Sequence, residues 1–365
     1  MAAGSAAPRD MKAAIAEYRQ KLEVYQQARQ AYEQQATQYW TSVAEKRVSR
    51  NAKRAKHEEI LLSDYVETQP PVYTGPPAPV NPEKGAPEPP PPRRYIPVVA
   101  DFVKAALEQF EFTPERPKNE ITFKRAYAKV ASAAGLTKEQ VVRIYGFESG
   151  GNGGYDVQAG LEQPVPGARA TSTALGYNQL LTTNTVELLA EHGDRFVSTL
   201  KAKASGMSGA AKQKLEKKIG ILERMVSISQ SVPDRWSEHA RLAMTPQGVG
   251  MHALNLDIDV GPLLQTYKLI DSVVFARSKG YLEPLTAAEL EMMNLTGDGT
   301  GFDMVTMPAA LREKVPTSNF FQPAGYQANP VAIRNNTVAK LIAATDAKMD
   351  KEIKLKGAKD LAAAF

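Results

Sequence analysis

The chain has 365 residues and no cysteine, which excludes disulfides, thiolate nucleophiles and cysteine-ligated metals. With 43% hydrophobic and 23% charged residues it is typical of a globular protein of two or three structural units. A net charge of +5 favours encounter with anionic polymers, which include nucleic acid and the acidic bacterial wall. No run of about eighteen apolar residues occurs, so we expect no membrane span. The four histidines lack metal-binding spacing, so we predict no metal and no cofactor.

The first predicted element is a helical arm over residues 1–66. Within residues 10–62, mostly apolar residues recur in steps of three and four, the spacing of a coiled coil. This seam consists of Ile15, Tyr18, Leu22, Tyr25, Arg29, Tyr32, Ala36, Tyr39 and Val43. Because the seam is weakly apolar and Arg29 interrupts it, two interpretations stay open. The arm either self-associates or pairs with a partner helix, or it docks on the body of its own protein.

A basic cluster follows the seam. It consists of Lys46, Arg47, Arg50, Lys53, Arg54 and Lys56. Such a cluster could contact phosphate or an acidic partner. Since no aromatic residues are interleaved, a solvated helix face is the better interpretation and nucleic-acid binding the weaker one.

Proline dominates residues 67–97, with four prolines in succession at 89–92. Polyproline segments are extended and semi-rigid. The composition therefore predicts a linker between the arm and a C-terminal domain over residues 98–355, which begins with a short helix over residues 98–110.

Two amphipathic helices are predicted over residues 121–147. Apolar residues recur at helical spacing from Ile121, and Gly135-Leu-Thr137 then supplies a break and an N-cap. The second helix ends at Glu148, which Ser149 and a glycine-rich loop over residues 150–154 follow. That loop either gives the backbone close access to a ligand or is only a turn between helices.

Three segments carry a resemblance to a known family. They are Glu148-Ser149-Gly150 at a helix end, Gly176-Tyr177-Asn178-Gln179 before a further helix, and residues 257–301 with the pair Met293-Asn294. Over residues 121–349 this arrangement resembles the soluble lytic transglycosylase family. That family normally has Tyr-Asn where this chain has Met293-Asn294.

The resemblance implies an all-α fold with a lysozyme-like domain that cleaves peptidoglycan glycan strands. The bond cleaved would be the β-1,4 bond between N-acetylmuramic acid and N-acetylglucosamine, with formation of 1,6-anhydromuramic ends. Glu148 would act as acid and then as base, since a carboxyl beside apolar neighbours can stay protonated near neutral pH. The predicted substrate-binding residues are Ser149, Gly176, Tyr177, Gln179 and Asn294. If the enzyme were a hydrolase instead, Asp156 or Glu162 would be the candidate second acid.

Two further helical segments are predicted. Residues 197–232 form a lysine-rich hairpin broken at Gly206 and Gly209, interpreted as an insertion that either overhangs the glycan groove or is solvated. Residues 336–361 form a closing helix with a frayed end.

A second function stays open beside glycan cleavage. The same fold could serve as a non-catalytic glycan-binding or structural component of a phage particle or a secretion machine. The substrate implies the periplasm or cell wall, whereas the N-terminus shows no secretory signal. A phage particle or a dedicated secretion machine would reconcile the two.

Overall fold

A computed structural model describes residues 8–84, 94–163 and 165–365, and over them the protein is all-α, which confirms the predicted fold class. The helices of the first half are α1 (Pro8–Ala55), α2 (Val99–Phe110), α3 (Glu120–Ala134), α4 (Lys138–Ser149), α5 (Thr182–Ser205), α6 (Gly209–Gln230), α7 (Trp236–Ala243) and α8 (Pro246–Met251). They continue with α9 (Gly261–Ser278), α10 (Ala287–Thr296), α11 (Asp298–Val305), α12 (Ala309–Arg312), α13 (Pro323–Gln327), α14 (Pro330–Arg334), α15 (Val338–Glu352) and α16 (Lys356–Ala362). Short 3-10 helices lie at Leu62–Asp64, His252–Leu256 and Thr317–Phe320.

None of the helices in the described part of the chain combines the length and apolar character needed to cross a membrane. The described residues divide into two compact units. The first comprises the chain up to Arg94 together with Met307–Leu341, and the second comprises Tyr95–Thr306 and Ile342–Phe365.

The first unit is built on α1 and on the extended segment that follows it. Tyr73, in the proline-rich segment, packs edge-on against Tyr25 and Tyr32 of the seam, with ring centroids 6.3 and 5.5 Å apart. The Arg29 guanidinium lies over the same Tyr73 ring at 5.3 Å. Part of the seam is therefore covered by the protein's own chain, as in the docked interpretation, and Arg29 has an aromatic partner there. The four prolines at 89–92 lie outside the described residues.

The basic cluster of α1 contacts the protein's own backbone. Arg50 is 1% exposed, and its guanidinium lies 4.3 Å from the Tyr65 ring and donates to the Asp64 carbonyl at 3.0 Å. Lys46 donates to the carbonyls of Ser63 and Tyr65 at 2.6 and 2.7 Å. These cations therefore hold the turn after α1 in place. Because they bind the protein's own carbonyls, they support nucleic-acid binding less than the sequence suggests.

Residues 307–341 belong to this first unit, whereas the predicted division placed them in the domain over residues 98–355. The Asn319 side chain pairs with both backbone groups of Val66, accepting from its N–H at 2.9 Å and donating to its carbonyl at 2.8 Å. Arg47 donates to the carbonyls of Asn319 and Phe321 at 2.9 and 3.0 Å. Hydrogen bonds from side chains to a distant backbone do not appear in hydrophobic periodicity, so this grouping could not be predicted from the sequence.

One large apolar cluster of the second unit is formed by α2, α5, α6, α7, α8 and α9. The predicted hairpin break falls where α5 ends at Ser205 and α6 begins at Gly209. Helix α6 buries Leu215, Leu222 and Met225 in that cluster. The hairpin is therefore part of the core and not a solvated excursion.

Lys218 of α6 ties the hairpin to the rest of the second unit. Its side chain is 6% exposed, and its ammonium lies 3.0 Å from Asp257, 2.5 Å from Asp259 and 3.4 Å from Glu115. Asp257 is fully buried and also accepts from the Glu115 N–H at 2.8 Å. Each charge in this cluster therefore faces at least one opposite charge.

Helix caps set the position of α4. Asn119 caps α3 by accepting from Thr122 N–H, and α3 ends at Gly135, whose φ of +95° suits glycine. The Thr137 hydroxyl caps α4 by accepting from Gln140 N–H, and Gln140 Oε1 accepts from Thr137 N–H. The helix then runs to Ser149, so Glu148 lies in its last turn. Leu361 of α16 is fully buried, so the end of the chain is docked and not frayed.

Candidate active site

Glu148 lies in the last turn of α4, where Asn294 of α10 reaches it. Asn294 Nδ2 donates to Glu148 Oε1 at 2.8 Å, and both residues are half-buried. Asn294 belongs to the third segment of the family resemblance, so two of the predicted site residues lie together. Met293, at the position where the family has Tyr, is fully buried.

A second carboxyl, Glu291 of α10, lies against Glu148 and was not predicted. The carboxyl groups of Glu148 and Glu291 both contact the amide of Asn294. Glu291 is fully buried, and Asn294 Nδ2 lies 3.5 Å from its Oε2. A sequence signal existed, because Glu291 is flanked by Leu290, Met292 and Met293 on a short helix.

Both carboxyls of this pair hold protons more tightly than a solvated glutamate. Burial raises the pKa of Glu148, and the hydrogen bond from Glu291, the charges of Lys348 and Lys268 and the bond from Asn294 act in the opposite direction. Burial also raises the pKa of Glu291 well above its ordinary value, and the neighbouring charge of Glu148 adds to this. The pair can therefore keep a proton where a solvated glutamate is ionised.

The segment Gly176–Gln179 is a tight turn between two paired residues. Leu175 and Leu180 exchange backbone hydrogen bonds of 3.0 Å in both directions, and α5 begins directly afterwards. Gly176 has a φ of +82°, and a Cβ at this position would lie 2.5 Å from Gln265 Nε2. Only glycine therefore fits both the backbone conformation and the space.

Buried side chains anchor this turn to the core. Tyr177 is fully buried, and its hydroxyl donates to Glu120. Asn178 donates from Nδ2 to the Tyr127 hydroxyl at 2.8 Å, and its N–H donates to Gln265 Oε1 at 2.8 Å. Tyr177 was predicted to bind substrate, but its burial directs it into the core instead.

Gln179 is the half-buried member of the turn. Its φ is +45°, in the left-handed region that non-glycine residues seldom occupy. Its Nε2 donates to the carbonyl of Gly176 at 2.8 Å and to that of Val157 at 3.3 Å. The predicted substrate contact of Gln179 would thus compete with its bonds to its own turn.

Ser149 and the glycine-rich loop pack internally. Ser149, a predicted substrate-binding residue, is buried, and its hydroxyl donates to the Tyr145 carbonyl at 2.6 Å. Gly151 has a φ of +69°, and a Cβ there would lie 2.5 Å from the Glu352 carbonyl oxygen. The Gly151 carbonyl accepts from Ala358 N–H at 2.9 Å. The glycines therefore serve close packing with the C-terminal helices.

The two acids considered for a hydrolase have other partners. Asp156 pairs with Arg116 at 3.0 Å, and Glu162 accepts from the Gly160 N–H at 2.9 Å. Neither has a hydrogen bond to Glu148 among the described residues. Within that part of the chain, Glu291 is the carboxyl that the fold brings to Glu148.

Glu191, His192 and Asp271 form a group whose composition suits a cation, with ligand atoms within 4.8 Å of one another. His192 Nε2 lies 2.6 Å from Asp271 Oδ1, so these two side chains already bind each other. Burial raises the pKa of Glu191 to about 7, and the charges of Asp271 and Glu187 contribute. Exposed acidic groups of this kind are common without a bound ion, so the group defines no metal site.

Comparisons of the chain with family models, with curated proteins and with solved structures find no match. The chemistry of the site therefore rests on its geometry. A half-buried carboxyl with a raised pKa, held by one amide and one neighbouring carboxyl, can donate a proton to a ligand and take one back.

Proposed function

We propose that the second unit is a peptidoglycan lytic transglycosylase with Glu148 as its general acid and base. The enzyme would cleave the β-1,4 bond between N-acetylmuramic acid and N-acetylglucosamine. Glu148 would protonate the leaving oxygen, and it would then take the proton of the sugar's 6-hydroxyl as that oxygen closes a 1,6-anhydro ring.

The observation that carries this proposal is the environment of Glu148. Burial raises its pKa, so Glu148 keeps its proton to higher pH than a solvated glutamate, and Asn294 donates to its Oε1 at 2.8 Å. General acid–base catalysis by one placed group contributes about 10²- to 10⁴-fold to a rate.

The spacing of the carboxyls also favours this reaction type. A retaining glycosidase needs two carboxyls about 5 to 5.5 Å apart, and an inverting one needs about 6.5 to 9.5 Å. Glu291 shares the Asn294 amide with Glu148 and is fully buried, so its carboxyl is not exposed to a sugar or to a water. A single acid with the sugar's own 6-hydroxyl as nucleophile needs no such spacing, and the hydroxyl gains from its proximity.

Peptidoglycan digestion followed by mass spectrometry tests the proposal. The wild type should release muropeptides that end in 1,6-anhydro-N-acetylmuramic acid, lighter by one water than hydrolysis products. Glu148→Gln should release none, because the amide is nearly isosteric but cannot cycle a proton. Reducing ends in the digest would point to a hydrolase, and equal release by the variant would remove Glu148 from the chemistry.

A specific observation favours a second candidate, a glycan-binding or structural component without catalysis. The donors of Ser149 and Gln179 are already bound to backbone carbonyls of their own segments. Peptidoglycan that sediments with the wild type without being cleaved would support this candidate.

A further inference from the structure

Glu291 is a buried carboxyl for which the proposed reaction has no use. The side chain is fully buried, and its contact with Asn294 Nδ2 is 3.5 Å, at the limit of a hydrogen bond. No amine, amide or hydroxyl of the described residues reaches its Oε1. A carboxylate with so little support is costly inside a protein, whereas a neutral carboxylic acid is not.

The amide that the two carboxyls share indicates a proton on one of them. Asn294 Nδ2 lies 2.8 Å from Glu148 Oε1 and 3.5 Å from Glu291 Oε2, and two carboxylates that share one site do not both ionise readily. The charged groups that face Glu148 are Lys268 of α9 and Lys348 of α15, and Asn294 donates to it at 2.8 Å. Lys348 and Asn294 also act on Glu291, but Glu148 has the shorter bond from Asn294, the added charge of Lys268 and a half-exposed side chain, whereas Glu291 is fully buried. The proton therefore belongs on Glu291.

We propose that Glu291 is a positioning residue that keeps its proton throughout the reaction and donates a hydrogen bond to Glu148 whenever Glu148 is a carboxylate. This role rests on the proposed function of Glu148.

The proton balance runs through Glu148 alone. Its O–H bond breaks as the proton passes to the leaving glycosidic oxygen and the bond from that oxygen to the muramic C1 breaks. The pair then carries one negative charge, and the O–H of Glu291 donates to the new carboxylate, the stronger charge-assisted form of the bond. Glu148 next takes the proton of the 6-hydroxyl as that oxygen bonds to C1, which returns the pair to its neutral state.

The test follows the ionisation of Glu148 directly, by NMR of the full chain with ¹³C-labelled glutamate carboxyls. Spectra of Glu148→Gln and Glu291→Gln assign the two signals by their absence. The comparison then uses wild type, Glu291→Met, Glu291→Gln and the control Glu283→Gln, which changes an exposed glutamate.

We expect Glu148 to titrate at higher pH in Glu291→Met than in wild type, because its carboxylate loses a donor. Glu291→Gln keeps an N–H donor at nearly the same shape, so its shift should be smaller and in the same direction. The control should leave the titration unchanged. A Glu148 signal that titrates alike in all four proteins would overturn the proposal, as would ionisation of Glu291 before Glu148. If Glu291→Met does not fold, the comparison of wild type with Glu291→Gln is the test.

Turnover of peptidoglycan separates this inference from the proposed function. If the titrations behave as expected but the wild type cleaves no glycan, the pair stands and the transglycosylase proposal fails. If the wild type cleaves, Glu291→Met should lose about tenfold or more in rate, and Glu291→Gln should recover part of it. Full activity of Glu291→Met with the wild-type pH profile would overturn the positioning role.

Discussion

Two clusters of buried carboxyls in the second unit differ in how their charges are balanced. Around Lys218, an ammonium lies within 3.0 Å of both Asp257 and Asp259. Around Glu148, a second carboxyl, Glu291, contacts the same amide of Asn294. The first cluster balances its charges and holds two elements together. The second keeps like groups together, an arrangement that stability does not require and that acid–base chemistry can use.

The pKa shifts follow the same division. Burial alone would lower the pKa of Lys218, yet the carboxylates of Asp257 and Asp259 outweigh it and the pKa lies above its ordinary value. Both groups of the Glu148 pair have raised pKa values, so burial there opposes the charged state. Removing Lys218 should therefore destabilise the first cluster, whereas removing Glu291 takes away a carboxyl whose ionisation burial opposes.

Breaking the balanced cluster should have the largest effect on stability. Lys218→Met leaves Asp257 and Asp259 buried with less compensation, so we expect the free energy of unfolding to fall by about 3 to 5 kcal/mol. Urea titration monitored by circular dichroism measures this. Lys214→Met is the matched control, because its ammonium pairs with Glu115 at 2.9 Å but is 63% exposed, and it should change stability by less than about 1 kcal/mol. Equal losses in both variants would mean that Lys218 does not hold the cluster.

Removing Glu291 should change the pH dependence of stability. The unfolded chain releases the Glu291 proton near pH 4.3, whereas the folded protein holds it to higher pH. Between these two values the folded state binds more protons, so the free energy of unfolding falls as pH rises. Glu291→Met should lose less stability than wild type between acidic and alkaline pH, by an amount on the order of 1 kcal/mol. Parallel curves for the two proteins would contradict a raised pKa at Glu291.

Removing the amide from the pair should have the smallest effect. Asn294→Ala deletes the 2.8 Å bond to Glu148, a bond that lowers the pKa of this group. We expect the upper limb of the cleavage rate against pH to move to higher pH, with a loss of about fivefold in the maximal rate. Thr296→Ala is the control on the same helix, since its hydroxyl donates only to the Met292 carbonyl. An unchanged profile for Asn294→Ala would show that the amide does not tune Glu148.

Local signals in the sequence predicted the frame of the site. Gly135 and Thr137 marked the end of α3 and the start of α4, and so placed Glu148 in a last helical turn. The motif resemblance proposed Asn294 as a site residue, and the structure brings it to Glu148.

The parts of the site that could not be predicted depend on contacts between distant parts of the chain. The pairing of Glu148 with Glu291 comes from the packing of α4 against α10, which no spacing in the sequence encodes. The charges of Lys218 and Arg50 resembled solvated helix faces until folding buried them against carboxylates and carbonyls. A run of charged residues in a sequence therefore does not predict whether those side chains are exposed or buried.

The rate of peptidoglycan cleavage against pH tests the central claim, that Glu148 acts as a proton donor with a raised pKa, most directly. Initial rates of muropeptide release would be measured for wild type and Glu148→Gln from about pH 4 to about pH 9, a range that spans the ordinary pKa of glutamate. We predict a wild-type rate that is high while Glu148 is protonated and falls on a limb displaced above that ordinary pKa, with no cleavage by Glu148→Gln. A rate that rises with pH through this range, or cleavage by the variant, would contradict the account.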